Sequence, residues 1–260
     1  MNYQKSIFKN GSITYYYSSI FFPKKIRIAV ATLYAFVRTA DNYVDAIPQQ
    51  VIQFKQFQTE SIAALQGVKS QNPVIAPFID LVAEYELNKE WIIAFLKAMS
   101  ADLNKNIYMS FQELEEYMYG SAEVIGLMMA RLMELPEKAY ESARIQGKAM
   151  QLLNFIRDIK EDLELGRQYI PDSDLKKTGV LTLSPTDHNI GILITEEINR
   201  FFALQQKAEK GYKYIPKKYL VSIKTAADIY IWTAKKILKD PLVVFRKKIK
   251  PAPLYVFGLY

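Results

Sequence analysis

Two stretches of this chain share one acidic spacing, an aspartate followed four residues later by a second aspartate. The first pair is Asp41 and Asp45, and the second is Asp158 and Asp162. Residues four apart lie on the same side of an α-helix, with β-carbons roughly 6 Å apart, so each pair presents two carboxylates together. Most neighbours are apolar, and charges in such surroundings persist only when paired or bound to a metal. Two facing pairs therefore indicate a site for several metal ions and a polyanion.

The composition restricts the metal that these residues could hold. The chain of 260 residues has no cysteine and a single histidine, His188, which excludes thiolate catalysis, iron–sulfur clusters and multi-histidine centres. Hard cations with oxygen ligands remain. Mg²⁺ usually takes one or two carboxylates and completes its coordination with water and substrate phosphate oxygens. We therefore expect Mg²⁺, with Mn²⁺ as an alternative, acting on a diphosphate ester whose departing oxygen the metal stabilises.

An isolated pair of aspartates on a helix is more often a solvated face than a metal site. Here the spacing occurs twice in apolar surroundings, which favours the metal interpretation. Arg38 extends the face of the first pair with a phosphate donor, and Asn154 extends the face of the second with a neutral oxygen ligand. A surface ion pair between Arg38 and Asp41 is the simpler alternative for that arginine.

Helix signals dominate the chain, because apolar residues recur at three- and four-residue steps and only ten glycines interrupt them. We predict an all-α structure with one domain over residues 1–260. Proline at a first helical turn and a Ser-x-x-Glu capping box mark two of the helix starts. The expected elements are a central helix from Pro23 through 26–37, a loop over 66–72, a helix from Ser110 toward Pro136, a long helix over 137–166, an irregular segment over 167–188, and helices over 194–214 and 219–238.

The net charge of +7 favours anionic partners: phosphates, acidic lipids or nucleic acid. Lysines and arginines are scattered rather than arrayed along one reading element, which argues against nucleic acid. No secretory signal or apolar stretch of roughly 20 residues is evident, so we expect a cytoplasmic chain, with peripheral contact to the inner face of an anionic membrane as an alternative. The basic residues at 246–250, with the apolar end 254–260, could close over diphosphate, rest on lipid or stay solvated.

Longer motifs surround both acidic pairs. Leu-Tyr-Ala-Phe-Val-Arg at 33–38 leads into the first pair, and Gln-x-x-Asn-x-x-Arg-Asp-x-x-Glu-Asp at 151–162 contains the second, followed by Gly-Arg-x-Tyr-x-Pro at 166–171. Together with Thr14-Tyr15 and Tyr17 near the start, this combination resembles the squalene/phytoene synthase family, the head-to-head prenyl-diphosphate synthases. The resemblance runs from about residue 12 to 248. It implies an isoprenoid-synthase-type helical bundle with a central active-site cavity.

The resemblance also implies residue roles. Tyr119 matches a family tyrosine near the reacting centre, and with the four aspartates it makes up the expected catalytic set. Gly11 and Ile13 replace phosphate-binding residues of many relatives, and Glu123 replaces a glycine, for which the sequence offers no explanation. The expected metal ligands are Asp41, Asp45, Asn154, Asp158 and Asp162, and the expected substrate contacts are Ser12, Thr14, Tyr17, Tyr34, Arg38, Gln151, Asn154, Arg167, Tyr230 and Lys247.

The implied reaction joins two prenyl diphosphates through a cyclopropylcarbinyl diphosphate. We expect phytoene from two geranylgeranyl diphosphates, since the chain lacks a glycine-rich dinucleotide fingerprint, which argues against NADPH. Squalene, dehydrosqualene or hydroxysqualene from farnesyl diphosphate is the alternative. A non-catalytic, membrane-associated family member is a rival of another class, although such relatives usually lose acidic residues that are intact here. The sequence indicates no oligomeric state.

Overall fold

Helices account for nearly all of the regular structure. The computed structural model describes residues 3–250, apart from the side chains of Ile13 and Thr14, and within that part the only strand-like feature is an isolated bridge between Ile107 and Gln168. The predicted all-α class is confirmed. The helices are α1 (Tyr3–Gly11), α2 (Ile13–Ser19), α3 (Lys24–Asp45), α4 (Val51–Leu65), α5 (Ile75–Glu84), α6 (Lys89–Ala101), α7 (Phe111–Met118), α8 (Val124–Leu132), α9 (Tyr140–Arg157), α10 (Ile159–Glu164), α11 (Asp172–Thr178), α12 (Ile190–Glu209), α13 (Lys217–Lys239) and α14 (Val243–Arg246), with a π-helical turn (Tyr119–Glu123) between α7 and α8.

The central helix is α3, as the sequence predicts. It begins directly after Pro23, and ten of its side chains are buried. Phe36 stacks on Phe78 of α5 with ring centroids 3.8 Å apart, and the rings of Phe57 and Phe95 pack around it. Burying several aromatic rings against one helix contributes several kcal/mol, so α3 is anchored at mid-length. The acidic residues at its end are therefore carried by a rigid element.

Helix α9 lies against α8, the π-helical turn and α12. Two glycines permit its closest contacts. A β-carbon on Gly126 would lie 2.1 Å from the carbonyl oxygen of Ala143, and one on Gly147 would lie 2.4 Å from that of Ala122. The backbones of these helices therefore touch directly, which fixes the relative position of two walls of the interior.

The prediction of one continuous helix over 137–166 is wrong, because the helix is interrupted. A 3₁₀ turn at Glu137–Ala139 precedes α9, and the chain leaves helical geometry at Asp158 (φ −103°, ψ 14°) before α10 begins. The segment over 167–188 is also not wholly irregular, because α11 lies within it. Pro171 precedes α11, and Gly179 ends it with a left-handed φ of 72°, a conformation that glycine adopts without steric cost.

Other expected elements are confirmed. The loop over 66–72 separates α4 from α5, and α12 and α13 cover most of the two last predicted helices. The hydroxyl of Ser110 accepts a hydrogen bond from the backbone N–H of Glu113 at the start of α7. Over residues 3–250, no helix combines the length and apolar character that a bilayer crossing needs. The apolar end at 254–260 lies outside the described residues.

Candidate active site

A cavity of about 620 Å³ lies between the helices, and all four predicted aspartates line it. Along α9 its wall changes character, from Ala143 and Gly147 near one end to Asn154 and Asp158 at the other. The cavity therefore has an acidic end beside the last turn of α9 and a largely apolar remainder. Apolar side chains of that remainder include Phe22, Val30, Leu33, Ile125, Met129, Met133, Leu135, Ile215 and Ile223.

The first acidic pair ends α3. Unpaired carbonyl groups give a helix C-terminus partial negative charge, so Asp41 and Asp45 lie where carboxylates are disfavoured. Arg167 donates from Nη1 to Oδ1 of Asp45 at 2.7 Å, whereas Arg38 makes a looser contact, 3.5 Å, with Asp41. Burial and repulsion from Asp45 raise the pKa of Asp41. The ionised form of Asp41 is thus disfavoured in spite of the neighbouring Arg38.

The two members of the second pair have opposite electrostatic environments. Asp158 receives two hydrogen bonds from Arg157, at 2.7 and 2.6 Å, and Lys248 Nζ lies 3.0 Å from its Oδ1. Burial alone would raise the pKa of Asp158, but these cations hold it below its ordinary value. For Asp162, burial and then repulsion from Asp158 and Asp45 raise the pKa to about 8. Asp45 belongs to α3 and Asp162 to α10. The repulsion between them therefore shows that the two acidic pairs lie within electrostatic reach of each other.

This donor set fits a hard divalent cation. In residues 3–250 no three carboxylate or imidazole side chains already converge as ligands of one ion. Mg²⁺ does not need such a cluster, since one or two carboxylates with phosphate and water oxygens are its usual ligands. Burial and then repulsion between neighbouring carboxylates raise the pKa values of Asp41 and Asp162, and a bound cation would favour their ionised forms. Asn154 supplies a neutral oxygen beside them.

Two tyrosine hydroxyls in the cavity wall form a hydrogen-bonded chain that ends at Asn154. The hydroxyl of Tyr230 donates to Oδ1 of Asn154 at 3.1 Å, and the hydroxyl of Tyr15 lies 2.7 Å from that of Tyr230. Asn154 also donates from Nδ2 to Gln151, at 3.3 Å. Of the predicted substrate contacts, the structure brings to the cavity wall Ser12, Tyr34, Arg38, Gln151, Asn154, Arg167 and Tyr230.

A second network lies on the α6 side of the cavity. Asp102, which follows α6 and is 3% exposed, accepts hydrogen bonds from the hydroxyls of Tyr117 at 2.7 Å and Tyr169 at 3.0 Å. Arg167 lies against this network and donates to the backbone oxygens of Val44 and Asp102. Burial raises the pKa of Asp102 to about 6.

Tyr119 is not brought to the cavity with the aspartates. Its side chain is 38% exposed, and the guanidinium carbon of Arg144 lies 5.7 Å from its ring centroid. Residues two apart on a helix point in nearly opposite directions, and the wall here is formed by Tyr117, Ser121 and Ile125. These three lining residues are spaced four apart in the sequence, and that spacing is the sequence signal that favours Tyr117 over Tyr119.

Two further predicted contacts, Tyr17 and Lys247, do not line the acidic end. Tyr17 packs edge-on against Tyr16, with ring centroids 5.4 Å apart, and is not among the lining residues described. Lys247 is exposed, and the neighbouring Lys248 reaches the acidic end in its place. The side chain of Thr14 lies outside the described part. Sequence reasoning also passed over Arg157, although it directly precedes Asp158 in the motif.

Glu123 has a clear structural explanation. Its carboxylate is 2% exposed and forms ion pairs with Arg144 and Lys148, both at 2.8 Å. These two cations lie four residues apart on one face of α9, so Glu123 connects the π-helical turn to α9.

Comparisons with known proteins agree with this geometry. A family model for squalene/phytoene synthase matches residues 8–254. The 15-cis-phytoene synthase of Paracoccus sp. is 26% identical, over 96% of this chain and 86% of that protein. The 4,4'-diapophytoene synthase of Staphylococcus haemolyticus is 25% identical, over 69% of this chain and 65% of that protein.

Solved structures show the same fold. A dehydrosqualene synthase bound to a ligand superimposes with a TM-score of 0.89 at 23% identity, over 99% of this chain and 93% of its own. The squalene synthase HpnC of Alicyclobacillus acidocaldarius gives 0.81 at 21% identity, over 91% and 92%. The chain belongs to the squalene/phytoene synthase family, whose members are head-to-head prenyl-diphosphate synthases.

Proposed function

We propose that this protein condenses two molecules of geranylgeranyl diphosphate head to head to give phytoene and two diphosphates. One observation carries the proposal: four aspartates lie at one end of a cavity whose remaining walls are largely apolar. A molecule that fits both parts has a polyanionic head and a long hydrocarbon tail. The similarity to the 15-cis-phytoene synthase of Paracoccus sp. supports the same substrate class.

The acidic end would hold Mg²⁺, or Mn²⁺ in its place. We assign the ligands as Asp41, Asp45, Asn154, Asp158 and Asp162. When bound, the cation neutralises the charge that develops on the departing diphosphate. Arg38, Arg157 and Lys248 lie at the same end and would bind phosphate oxygens, with the planar arginines suited to bidentate contacts.

The remaining walls determine what happens to the hydrocarbon. The first diphosphate leaves with the electron pair of its C–O bond, and the allylic cation is trapped by a double bond of the second molecule. Loss of one proton closes a cyclopropylcarbinyl diphosphate, prephytoene diphosphate. Its ionisation, rearrangement and loss of a second proton give phytoene. Apolar lining keeps water from these cations, so carbon rather than oxygen captures the charge.

The cavity wall is long enough to accommodate a C20 substrate. Lining residues on α9 and its C-cap run from Ser142 to Asp158, a distance of about 24 Å at the helical rise per residue. An extended geranylgeranyl chain covers roughly 18 Å and a farnesyl chain roughly 13 Å, at the bond projections of an extended chain. Both fit, and the longer one uses more of the wall. Farnesyl diphosphate, giving dehydrosqualene, squalene or hydroxysqualene, is the second candidate, favoured by similarity to the Staphylococcus haemolyticus diapophytoene synthase.

The test is product identification. Purified protein with Mg²⁺ is incubated with geranylgeranyl or farnesyl diphosphate, each with and without NADPH, and the extracted hydrocarbon is identified by mass spectrometry. We expect phytoene from geranylgeranyl diphosphate in amounts independent of NADPH. A C30 product alone would replace phytoene by the second candidate. No hydrocarbon from either diphosphate would contradict the proposed reaction.

A further inference from the structure

Asp102 is a buried acid that the proposed metal and phosphate contacts do not use. It lines the cavity, and both oxygens of its carboxylate accept hydrogen bonds from tyrosine hydroxyls, Oδ2 from Tyr117 at 2.7 Å and Oδ1 from Tyr169 at 3.0 Å. Its backbone oxygen accepts from Gln49 at 2.9 Å, which fixes the residue from a third direction. The carboxylate therefore has a single, well-determined orientation.

The charge of Asp102 is not cancelled by a direct ion pair in the described structure. The nearest guanidinium group, that of Arg167, contacts only its backbone oxygen and forms its ion pair with Asp45. A buried carboxylate that accepts two hydroxyl hydrogen bonds costs stability compared with an apolar residue of similar size. Because this cost is incurred by a residue at the cavity wall, we expect Asp102 to have a function in the cavity.

The hydrogen-bond directions suggest that role. The hydroxyls of Tyr117 and Tyr169 donate to the two carboxylate oxygens of Asp102, so their protons point at Asp102. The hydroxyl oxygen of Tyr169 also accepts from Nη1 of Arg167 at 3.4 Å, whereas the lone pairs of the Tyr117 oxygen remain for a partner in the cavity. Tyr169 also stacks on Phe155 with centroids 4.2 Å apart and on Tyr117 at 5.5 Å, so the same wall presents aromatic rings. Lone pairs and aromatic faces both attract positive charge.

We propose that Asp102 is a positioning residue for cation stabilisation: it turns the Tyr117 and Tyr169 hydroxyl protons away from the cavity, so that the Tyr117 oxygen and the rings of both tyrosines face the isoprenoid cation. This inference rests on the proposed function, because that reaction generates the cation. The residue does not touch the substrate in this account. It acts through the two tyrosines, and its own negative charge adds long-range attraction across a low-dielectric wall.

The test compares two unreactive ligands in the presence of Mg²⁺. One is a prenyl thiodiphosphate, neutral at the reacting carbon. The other is an ammonium analogue with a positively charged nitrogen at that position. Calorimetric titration gives the ratio of their affinities for the unchanged protein and for Asp102→Asn. We expect Asp102→Asn to weaken the ammonium analogue roughly 10- to 100-fold, the size expected for a charge-assisted interaction, and the thiodiphosphate by no more than about threefold. Equal weakening of both ligands, or of neither, would overturn the proposal.

Asp174→Asn is the matched control. Asp174 is also a buried aspartate, 8% exposed, but it pairs with Arg200 away from the residues that line the cavity. We expect it to leave the affinity ratio unchanged, and a similar fall in this control would count against a specific role of Asp102. Circular dichroism and thermal unfolding of each variant show whether it folds.

A second variant keeps the test decisive if Asp102→Asn does not fold. Replacing both Tyr117 and Tyr169 by phenylalanine removes the two hydroxyls and leaves the carboxylate in place. We expect this variant to lose the preference for the ammonium analogue as well, and a retained preference would overturn the proposal. These experiments measure binding and do not depend on turnover. Absence of hydrocarbon product would contradict the proposed reaction, whereas an unchanged affinity ratio would contradict the role of Asp102.

Discussion

At the scale of single residues, the four aspartates differ in how well their charges are balanced. Asp158 is held ionised by Arg157 and Lys248, whereas the carboxyls of Asp41 and Asp162 have raised pKa values. Without a cation, the fold therefore disfavours the ionised forms of Asp41 and Asp162. Such strain is typical of sites shaped for a ligand rather than for stability.

Asp162→Asn should stabilise the protein in the absence of Mg²⁺. The folded-state pKa of Asp162, about 8, lies above its unfolded value, so the native state retains a proton that the unfolded chain releases. The contribution of Asp162 to the free energy of unfolding therefore becomes less favourable as the pH rises from about 4 to about 8. After allowance for solvent screening, we expect the variant to gain roughly 1–2 kcal/mol at pH 8 and less at pH 5.5. Urea unfolding at the two pH values measures this, and a loss of stability at pH 8 would contradict it.

The two neighbouring tyrosines should respond differently to substitution. We expect Tyr117→Phe to lower kcat roughly 10- to 100-fold, because its hydroxyl lies at the cavity wall and bonds to Asp102. Tyr119→Phe serves as the matched variant and should stay within about twofold of the unchanged protein, because Tyr119 faces outward beside Arg144. Initial rates of hydrocarbon formation compare the two. The reverse order of effects would restore Tyr119 as the reacting-centre tyrosine.

At the scale of helices, local rules predicted starts better than interruptions. Pro23 and the Ser110–Glu113 pair mark real helix starts, because capping depends on residues close in sequence. The break at Asp158 was not predicted, since the acidic motif reads as one continuous helix. The geometry there involves contacts from outside the helix, with Lys248 bound to Asp158 from the far end of the chain.

In the candidate site too, features set by neighbouring residues in the sequence were predicted, and features set by tertiary packing were not. The aspartates were identified from their spacing, because four residues is a fixed relation within a helix. Asp102 was not, because its partners come from α7 and from the segment after α10, and only tertiary packing brings Tyr117 and Tyr169 together. Tyr119 was preferred to Tyr117 for a related reason, since the motif holds two tyrosines and only tertiary packing decides which of them lies at the cavity wall.

The close approach of α9 to its neighbours should depend on glycine. In Gly147→Ala, the new β-carbon would lie 2.4 Å from the carbonyl oxygen of Ala122, so the helices must separate. We expect a loss of roughly 1–3 kcal/mol in the free energy of unfolding. Gly191→Ala, in the first turn of α12, is the control: no atom lies near its β-carbon position, and we expect a gain of up to about 1 kcal/mol. Urea unfolding of both variants measures the difference, and equal effects would contradict this packing.

At the scale of the whole molecule, one cavity joins an acidic end to a long apolar wall, and α9 runs along both. Gln146 lies about 18 Å from Asp158 along this helix, near the expected tip of a geranylgeranyl chain. It lines the cavity and is hydrogen-bonded to Gln205 at 2.8 Å. The reach of the substrate chain can therefore be tested at this position without altering the acidic end.

Gln146→Trp should discriminate against the longer substrate. The indole would fill the space that the end of a C20 chain needs, while a C15 chain ends before it. We expect kcat/KM for geranylgeranyl diphosphate to fall at least about tenfold and that for farnesyl diphosphate to stay within about threefold. Gln146→Leu removes the hydrogen bonds without added bulk and should affect both substrates alike. Equal losses with Trp would show that the chain end lies elsewhere.

The most direct measurement of the central claim is Mg²⁺-dependent release of diphosphate from geranylgeranyl diphosphate. The unchanged protein is compared with Asp41→Asn and Asp158→Asn, and with Asp80→Asn, which alters an exposed aspartate of α5. We predict release that requires Mg²⁺, falls at least about 100-fold in both cavity variants and stays within about twofold in the control. Full release by Asp41→Asn and Asp158→Asn would contradict the assignment of the acidic end as the site of ionisation.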